Sequence, residues 1–174
     1  MSKVQKITGF VLKRKTLLES DVMATLYSKE HGKMTLLVKG VRKITSKRAA
    51  HIQTGNLISA QVRESHNILY LQSSELISGF LSLRTDTMID QIYLFLSIID
   101  GLMPEGQQDI QVFNRIAHFF IQLSKGQDQT EVLKRNLQRL LEILGYADDK
   151  LPLSALLQMA ENHIEKRLPR HVIM

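Results

Sequence analysis

Apolar and polar residues alternate one by one through much of the first 80 residues, which is the period of a β-strand with one buried face. The strands that this alternation predicts cover residues 4–14, 22–27, 34–39, 58–63 and 69–71. Turn-forming residues at 30–33 and 65–67 predict hairpin connections, and Gly9 is interpreted as a bulge or a sharp coil of the first strand. The longest connection, 42–56, is polar and basic and is predicted to be a loop.

Five short strands in about 80 residues are too few for a large β-sandwich. A small closed barrel removes the exposed strand edges, and the five-stranded oligonucleotide-binding (OB) barrel is the commonest arrangement of this kind. An SH3-like barrel is the alternative that the pattern leaves open.

Beyond residue 80 the apolar residues recur every three or four positions, the period of a helix with one buried face. The predicted helices cover residues 89–103, 112–123, 128–144 and 152–168. Thr85 and Asp128 supply capping side chains, and Gly145 is the expected residue just past a helix end. The predicted fold class is therefore α+β, with an N-terminal five-stranded OB-type β-barrel over residues 1–80 and a small α-helical bundle over residues 81–174.

The chain has 174 residues and a net charge of +6, and this charge is distributed unevenly. Residues 1–80 contain 13 Lys and Arg against 5 Asp and Glu, a net charge of +8, whereas residues 81–174 contain 10 against 12, a net charge of −2. The basic half indicates a polyanion as its partner, although a Lys-rich solvated surface has the same composition.

Few residues of the sequence have the types and spacing of a catalytic or metal-binding site. The absence of cysteine excludes disulfides, thiolate nucleophiles, iron–sulfur clusters and cysteine-built zinc sites, so we expect no metal and no cofactor. None of the six histidines pairs with another at helical ligand spacing, no glycine-rich phosphate loop is present, and 19–21 is interpreted as a turn. We expect no enzyme. The first residues lack a signal peptide, and the apolar run at 92–99 is shorter than the roughly 20 residues that span a bilayer, so we expect a soluble intracellular protein.

Basic residues in the first half are the informative set. An acid-free run, Lys39–Arg48, carries cations beside serine and threonine, which are common partners of phosphate. The predicted DNA-binding residues are Lys13, Arg14, Lys15, Lys39, Arg42, Lys43, Lys47 and Arg48. Aromatic residues in this half are few, namely Phe10, Tyr27, Tyr70 and Phe80, and we expect Phe10 and Phe80 in the core. Binding is therefore predicted to be electrostatic and salt-dependent, without stacking on several bases.

Several segments, in their order and spacing, resemble RecO, the bacterial DNA repair and recombination mediator. They are Thr8–Arg14, Glu19–Asp21, Lys29–Lys33, Lys39–Lys43 with Ser46-Lys47, Glu75–Ile77, Leu102–Gly106 and Leu141–Tyr146. The likeness covers nearly the whole chain. Many RecO proteins continue after the Leu-Gly-Tyr segment with a four-cysteine zinc module, which is missing here, so the chain resembles a short form of the family.

The resemblance implies a recombination mediator of the bacterial cytoplasm and nucleoid. It implies binding of single- and double-stranded DNA through the OB barrel, annealing of complementary strands, binding of the acidic C-terminal tail of single-stranded-DNA-binding protein (SSB), and RecA loading together with RecR. A groove between helices is the expected place for the SSB tail, edged by Arg115, Lys134, Arg135 and Arg139. The simpler interpretation of these four is a solvated helix surface on which Glu142 pairs with Arg139.

Two other classes of protein share the charge pattern. One is an RNA-binding or ribosome-associated barrel protein, and the other is an adaptor whose basic face meets an acidic protein. Annealing of complementary DNA strands coated with SSB separates a mediator from both.

Overall fold

Five strands close into a barrel in the computed structural model, which describes residues 3–18, 20–40, 47–79, 85–165 and 167–168. The strands are β1 (Val4–Thr16), β2 (Val22–Ser28), β3 (Gly32–Val38), β4 (Leu57–Ser65) and β5 (Ile68–Ser78). Their order around the barrel is β1-β2-β3-β5-β4, and β3 pairs with β5 in parallel whereas every other pair is antiparallel. The predicted OB-type barrel followed by helices is confirmed.

The inside of the barrel is apolar because each strand turns alternate side chains toward it. Residues such as Ala24, Leu26, Leu36 and Ile58 are completely buried there. The register of β2 with β3 places Ala24 opposite Leu36 and Thr25 opposite Thr35. Each strand therefore has an inner and an outer set of residues, as the alternation predicts.

Two details of the barrel differ from the sequence prediction. The ladder between β1 and β2 is irregular between Val11 and Lys13, so the bulge does not lie at Gly9. Gly9 instead permits a close approach of two strands, because a Cβ there would lie 3.1 Å from the carbonyl oxygen of Tyr27.

The other correction concerns the connection predicted as a polar loop, which contains a short helix, α1 (Lys47–His51). Ile52, directly after this helix, is completely buried in the barrel core. The side chain of Asn56 donates hydrogen bonds of 3.0 Å to the carbonyl oxygens of Ala50 and His51 at the helix end. A helix of five residues is too short to show a helical period in the sequence.

The later part of the chain forms four longer helices, as predicted. They are α2 (Asp86–Leu102), α3 (Ile110–Ser124), α4 (Gln129–Ile143) and α5 (Leu153–Ile164). Thr85 and Asp128 cap the N-termini of α2 and α4 by accepting hydrogen bonds from backbone N–H groups. Gly145 follows the last residues of α4 with a φ of 75°. None of the helices in the described part of the chain combines the length and the apolarity needed to span a bilayer.

The chain divides into two compact units, and one short segment returns to the first of them. The barrel unit consists of Met1–Phe80 and Pro104–Gln108, and the helical unit of Leu81–Met103 and Asp109–Met174. We call Pro104–Gln108 the strap.

The strap is held to the barrel by hydrogen bonds. Glu105 forms a parallel bridge with Lys33, and its carboxylate accepts a hydrogen bond of 2.8 Å from the Thr35 hydroxyl. Gln108 donates to the carbonyl oxygen of Lys29, and the Tyr27 hydroxyl lies 3.5 Å from the carbonyl oxygen of Gln107. Contacts between residues 70 or more positions apart are not visible as a pattern in the sequence.

Candidate nucleic-acid interface

Lys13 and Lys15 lie on the outer face of the barrel because of the irregularity in β1. Lys13 pairs with Thr25 and Lys15 with Met23, and these partners belong to the outer set of β2. Arg14 pairs with Ala24, which is buried in the core, so Arg14 lies on the opposite face of the strand. All three side chains are exposed, and the register separates the predicted triplet into two faces.

Lys39 reaches the same end of the barrel from another strand. Thr16 pairs with Val22, and Val22 pairs with Val38, so the end of β1, the start of β2 and the end of β3 are neighbours. Lys15 aligns with Met23 and Leu37, and Lys39 lies two residues beyond Leu37. Two strand spacings of about 4.8 Å and two residue rises of about 3.3 Å put the backbones at Lys15 and Lys39 roughly 12 Å apart.

Asp21 connects these strand ends. Its backbone oxygen accepts a hydrogen bond of 2.9 Å from the Leu17 N–H, and its carboxylate accepts one of 3.0 Å from the Gly40 N–H. Asp21 thus positions the residue that follows Lys39, while residue 19 of the predicted turn lies outside the described residues.

The outer face continues onto β5 and β4. Tyr70 pairs with Leu37 of β3 in parallel and with Arg63 of β4 in antiparallel fashion. The ammonium group of Lys39 lies 5.2 Å from the centroid of the Tyr70 ring. Arg63 is exposed and adds a cation that was absent from the predicted set, although the alternation of β4 already places it outside.

A groove of about 570 Å³ opens on the outside of the barrel; its lining includes Met23, the partner of Lys15, and Leu37, two residues before Lys39, but not the cations themselves. Met23 and Ile68, both about 40% exposed, give it an apolar surface. Other lining residues include Lys33, Thr35, Asn67 and Glu105. We call Lys13, Lys15, Lys39 and Arg63 the outer-face cations.

The remaining predicted contacts on the barrel lie elsewhere or are not described. Lys47 and Arg48 belong to α1, where Lys47 is exposed and Arg48 is half-buried. Arg42 and Lys43 lie outside the described residues. Lys13 and Lys15 therefore lie on β1 and Lys39 directly after β3, whereas Lys47 and Arg48 lie on the helix α1.

The four cations predicted in the helical unit, Arg115, Lys134, Arg135 and Arg139, do not form a single cluster of free charges. Arg115 donates a hydrogen bond of 3.3 Å to the side-chain oxygen of Asn136, and Asn136, completely buried, donates to Gln122 over 2.6 Å. Burial lowers the pKa of Arg115, the nearby charge of Arg139 lowers it further, and Glu142 opposes the shift.

Arg139 forms the predicted ion pair with Glu142, with a distance of 3.0 Å between Nη1 and Oε2. The hydrogen bond from Arg139, with a second from Gln138, lowers the pKa of Glu142. Arg135 donates a hydrogen bond of 3.4 Å to Gln127. The predicted ion pair between Arg139 and Glu142 is thus present on the helix surface.

Lys134 and Arg135 also edge an open groove of about 470 Å³ along α4, where Glu131 and Gln138 line it as well. The other side of this groove contains Lys150, Leu151 and Pro152. Two cations of the predicted set are therefore joined by Lys150, which the sequence did not single out, while Arg115 and Arg139 do not line the groove.

Comparison with known proteins shows which proteins the chain is similar to. Residues 1–80 match the family described as "Recombination protein O N terminal". A protein named "DNA repair protein RecO" from Syntrophobacter fumaroxidans is 27% identical over 83% of this chain and 58% of its own length. The RecO of Mycoplasma mycoides is 30% identical over 62% of this chain and 43% of its own length. The chain is similar to RecO proteins over about four fifths of its length, and its first 80 residues match the N-terminal model of that family.

The chain spans about half the length of the curated RecO proteins it matches. The RecO of Bacillus velezensis, for example, is 25% identical over 80% of this chain and 55% of its own length. Among solved structures, apo-CusF from Escherichia coli has a TM-score of 0.33 and 19% identity, covering 45% of this chain and 92% of that one. A likeness as weak as this last one supports neither a fold nor a function.

Among the described residues, no group of three or more His, Asp or Glu side chains is placed to hold a metal ion. The Arg139–Glu142 ion pair lies on a helix surface. The candidate interface consists of the exposed cations on the outside of the barrel, Lys13, Lys15, Lys39 and Arg63.

Proposed function

We propose that this chain is a DNA-binding recombination mediator that holds DNA on the outer face of its barrel. The supporting observation is that the outer-face cations are exposed on the outside of the barrel, and that Lys39 and Arg63 flank Tyr70 next to the groove residues Leu37 and Leu69. A surface of this kind binds phosphates through charge, and an adjoining apolar groove suits bases. The face of strands 2 and 3 is also where OB barrels commonly bind oligonucleotides.

The proposed mechanism of annealing is electrostatic. Two complementary strands repel one another through their phosphates, and the outer-face cations, with those of α1, reduce this repulsion when both strands are bound. Because the contacts are made to phosphates, binding is tolerant of sequence and weakens steeply with salt. Strand annealing, and assistance with RecR in loading RecA onto SSB-coated DNA, complete the proposed function.

The test is a quadruple reversal of the outer-face cations to glutamate. Losing about four phosphate contacts lowers the slope of log affinity against log salt by roughly 3 to 4 and reduces affinity about a hundredfold. The matched control reverses four exposed cations elsewhere, namely Lys29, Lys125, Lys150 and Arg167. Fluorescence anisotropy with single-stranded and duplex DNA measures both, and an equal loss in the two variants contradicts the assignment of this face.

Annealing of complementary strands, with and without SSB, distinguishes the mediator from an RNA-binding or ribosome-associated barrel protein. The mediator accelerates annealing of SSB-coated strands, and the quadruple reversal removes this acceleration. Tight RNA binding without any annealing of coated DNA contradicts the mediator function.

A second proposed activity is binding of the acidic SSB tail in the groove at Lys134, Arg135 and Lys150. The supporting observation is that these three cations line the groove together with the apolar Leu151 and Pro152 and outnumber its one carboxylate, that of Glu131, which suits a peptide with acidic and apolar residues. Calorimetric titration with an SSB C-terminal peptide tests it. Binding should weaken with salt and with Lys134→Glu, and absence of any heat or chemical-shift change contradicts the assignment.

A further inference from the structure

Tyr70 differs from the other aromatic residues of the barrel. Phe10 and Tyr27 are about 1% exposed or less, whereas Tyr70 is half-buried on the outer face. Among the barrel aromatics that the structure describes, Tyr70 alone has its ring at the surface. The ring lies between cations, with Lys39 at 5.2 Å from its centroid and Arg63 as its cross-strand partner.

A tyrosine on a strand needs no ligand to explain it, since it packs well against its neighbours. The contact with Lys39 is likewise a stabilising interaction within the free protein. At an exposed site, however, such a contact changes an equilibrium constant only about two- to fivefold. A base stacked on an aromatic ring contributes about five- to 150-fold, so a base at this position outcompetes the ammonium group.

We propose that Tyr70 stacks one base of single-stranded DNA, and that Lys39 moves from the ring to a phosphate of the same strand when the base arrives. This inference rests on the proposed function, because it requires DNA on the outer face. Leu37 and Ile68 extend the apolar surface beside the ring, and Lys39 keeps its charge next to the bound nucleotide. The ring thereby favours single strands, since the faces of the bases in a duplex are already stacked on one another.

One ring takes one base, so the proposal fits sequence-tolerant binding. Every base has a π-face, and a single stacking contact therefore selects for unpaired nucleotides rather than for a particular base. The outer-face cations supply attraction to any DNA, and Tyr70 adds the preference for a single strand.

The chain contains no tryptophan, which allows a direct optical test. Tyr70→Trp places one tryptophan at the proposed stacking position, and Tyr93→Trp places one at a 50% exposed position of α2 as the matched control. Each variant is titrated with a thymidylate oligomer and with an abasic oligomer of equal length, which has the phosphates but no bases. We expect the thymidylate oligomer, but not the abasic one, to quench the fluorescence of the Tyr70→Trp variant. Neither oligomer should quench the fluorescence of the Tyr93→Trp variant.

Affinity provides the second measurement. Tyr70→Leu should weaken binding of the thymidylate oligomer by about five- to 150-fold and that of a duplex by less than about twofold, whereas Tyr70→Phe should keep both within about twofold. Equal losses on single strand and duplex, or equal quenching of the Tyr70→Trp variant by both oligomers, overturn the inference.

Anisotropy of the unaltered protein separates the stacking inference from the proposed function. If the protein binds DNA and the fluorescence of the Tyr70→Trp variant does not respond to bases, only the stacking fails. If the protein shows no binding at about 50 mM salt, the proposed function is overturned as well.

Discussion

The barrel and the helical unit both contain arginine and lysine side chains, but these differ between the units in burial and in hydrogen bonding. On the barrel, the outer-face cations come from separate strands and are exposed on its outside. On the helices, Arg115 is hydrogen-bonded to the buried Asn136, and Arg139 is paired with Glu142. Charge alone therefore does not identify a binding surface. A cation that is buried or hydrogen-bonded within its own unit is less available to a ligand than an exposed one.

The cause of this difference is geometric. Residues two apart on a strand point to the same face, and the ladder aligns neighbouring strands, so cations separated in the sequence meet on one surface. Residues three or four apart on a helix are neighbours, so an acid at that spacing pairs with the cation locally. The first arrangement gathers like charges, and the second neutralises them.

Charge reversal gives the largest expected effect that tests this comparison. Changing the acid-free set Lys39, Arg42, Lys43, Lys47 and Arg48 to glutamate should weaken DNA binding more than about a hundredfold near 0.1 M salt without shifting the unfolding midpoint much. Changing Lys134, Arg135 and Arg139 to glutamate should leave DNA affinity within about threefold. Gel shift and urea unfolding measure the two quantities, and a comparable loss from the helical variant contradicts the contrast between the units.

Gly32→Ala tests how the outer face of the barrel is shaped. A Cβ at Gly32 would lie 2.0 Å from the carbonyl oxygen of Gln107, and its φ is 69°. We expect the free energy of unfolding to fall by about 2–4 kcal/mol, from strain and overpacking together. Gly106→Ala is the control, with a φ of 75° but no atom within 4 Å of the added Cβ, and should cost about 1–2 kcal/mol. An equal loss of unfolding free energy in the two variants, measured by urea unfolding, would mean that the strap moves to accommodate the added Cβ at Gly32 without an energetic cost.

Asn136→Ala tests whether the helical cations have a structural role. The substitution removes the acceptor of Arg115 and the donor to Gln122 inside the protein, which should lower the free energy of unfolding by about 2–3 kcal/mol. Asn114→Ala, on an exposed position of α3, should change it by less than about 0.5 kcal/mol. Similar values for the two variants, measured by urea unfolding, would show that the buried network contributes little.

Glu142→Gln has the smallest expected effect. The lowered pKa of Glu142 means that its contribution is complete above the ordinary carboxyl pKa of about 4.3 and is lost as the pH falls through the folded value. The difference in unfolding free energy between the original chain and the variant should be at most about 0.5 kcal/mol at neutral pH. It should vanish in acid and in high salt, and a difference that persists under both conditions contradicts a surface ion pair.

The fold was predictable because its signals are local. The period changes from two to about 3.6 near residue 80, and the caps at Thr85 and Asp128 lie where the structure begins its helices. The helix α1 was missed because five residues carry no periodic signal. The position of the bulge was misplaced because Gly9 has another reason to be glycine, the close approach of Tyr27.

The candidate site was predictable only in part. Runs of basic residues in the sequence pointed to Lys13, Lys15 and Lys39. The faces on which Lys13 and Lys15 lie depend on the register shift between Val11 and Lys13 in the β1–β2 pair, and no residue type in the sequence predicts that shift. Arg63 is isolated in the sequence, and it reaches Tyr70 through the pairing of β4 with β5 and Val4 through the pairing of β4 with β1. Residues that meet through sheet closure are invisible to any argument from local spacing.

The strap makes the barrel unit discontinuous along the chain. A cut after residue 80 would separate the barrel strands from Pro104–Gln108, leaving Gly32 and the Tyr27 hydroxyl without the backbone that covers them. The complementary fragment would carry those five residues without the strands that hold them. Neither fragment therefore contains the whole barrel unit, and a fragment that keeps this unit intact has to extend at least through Gln108.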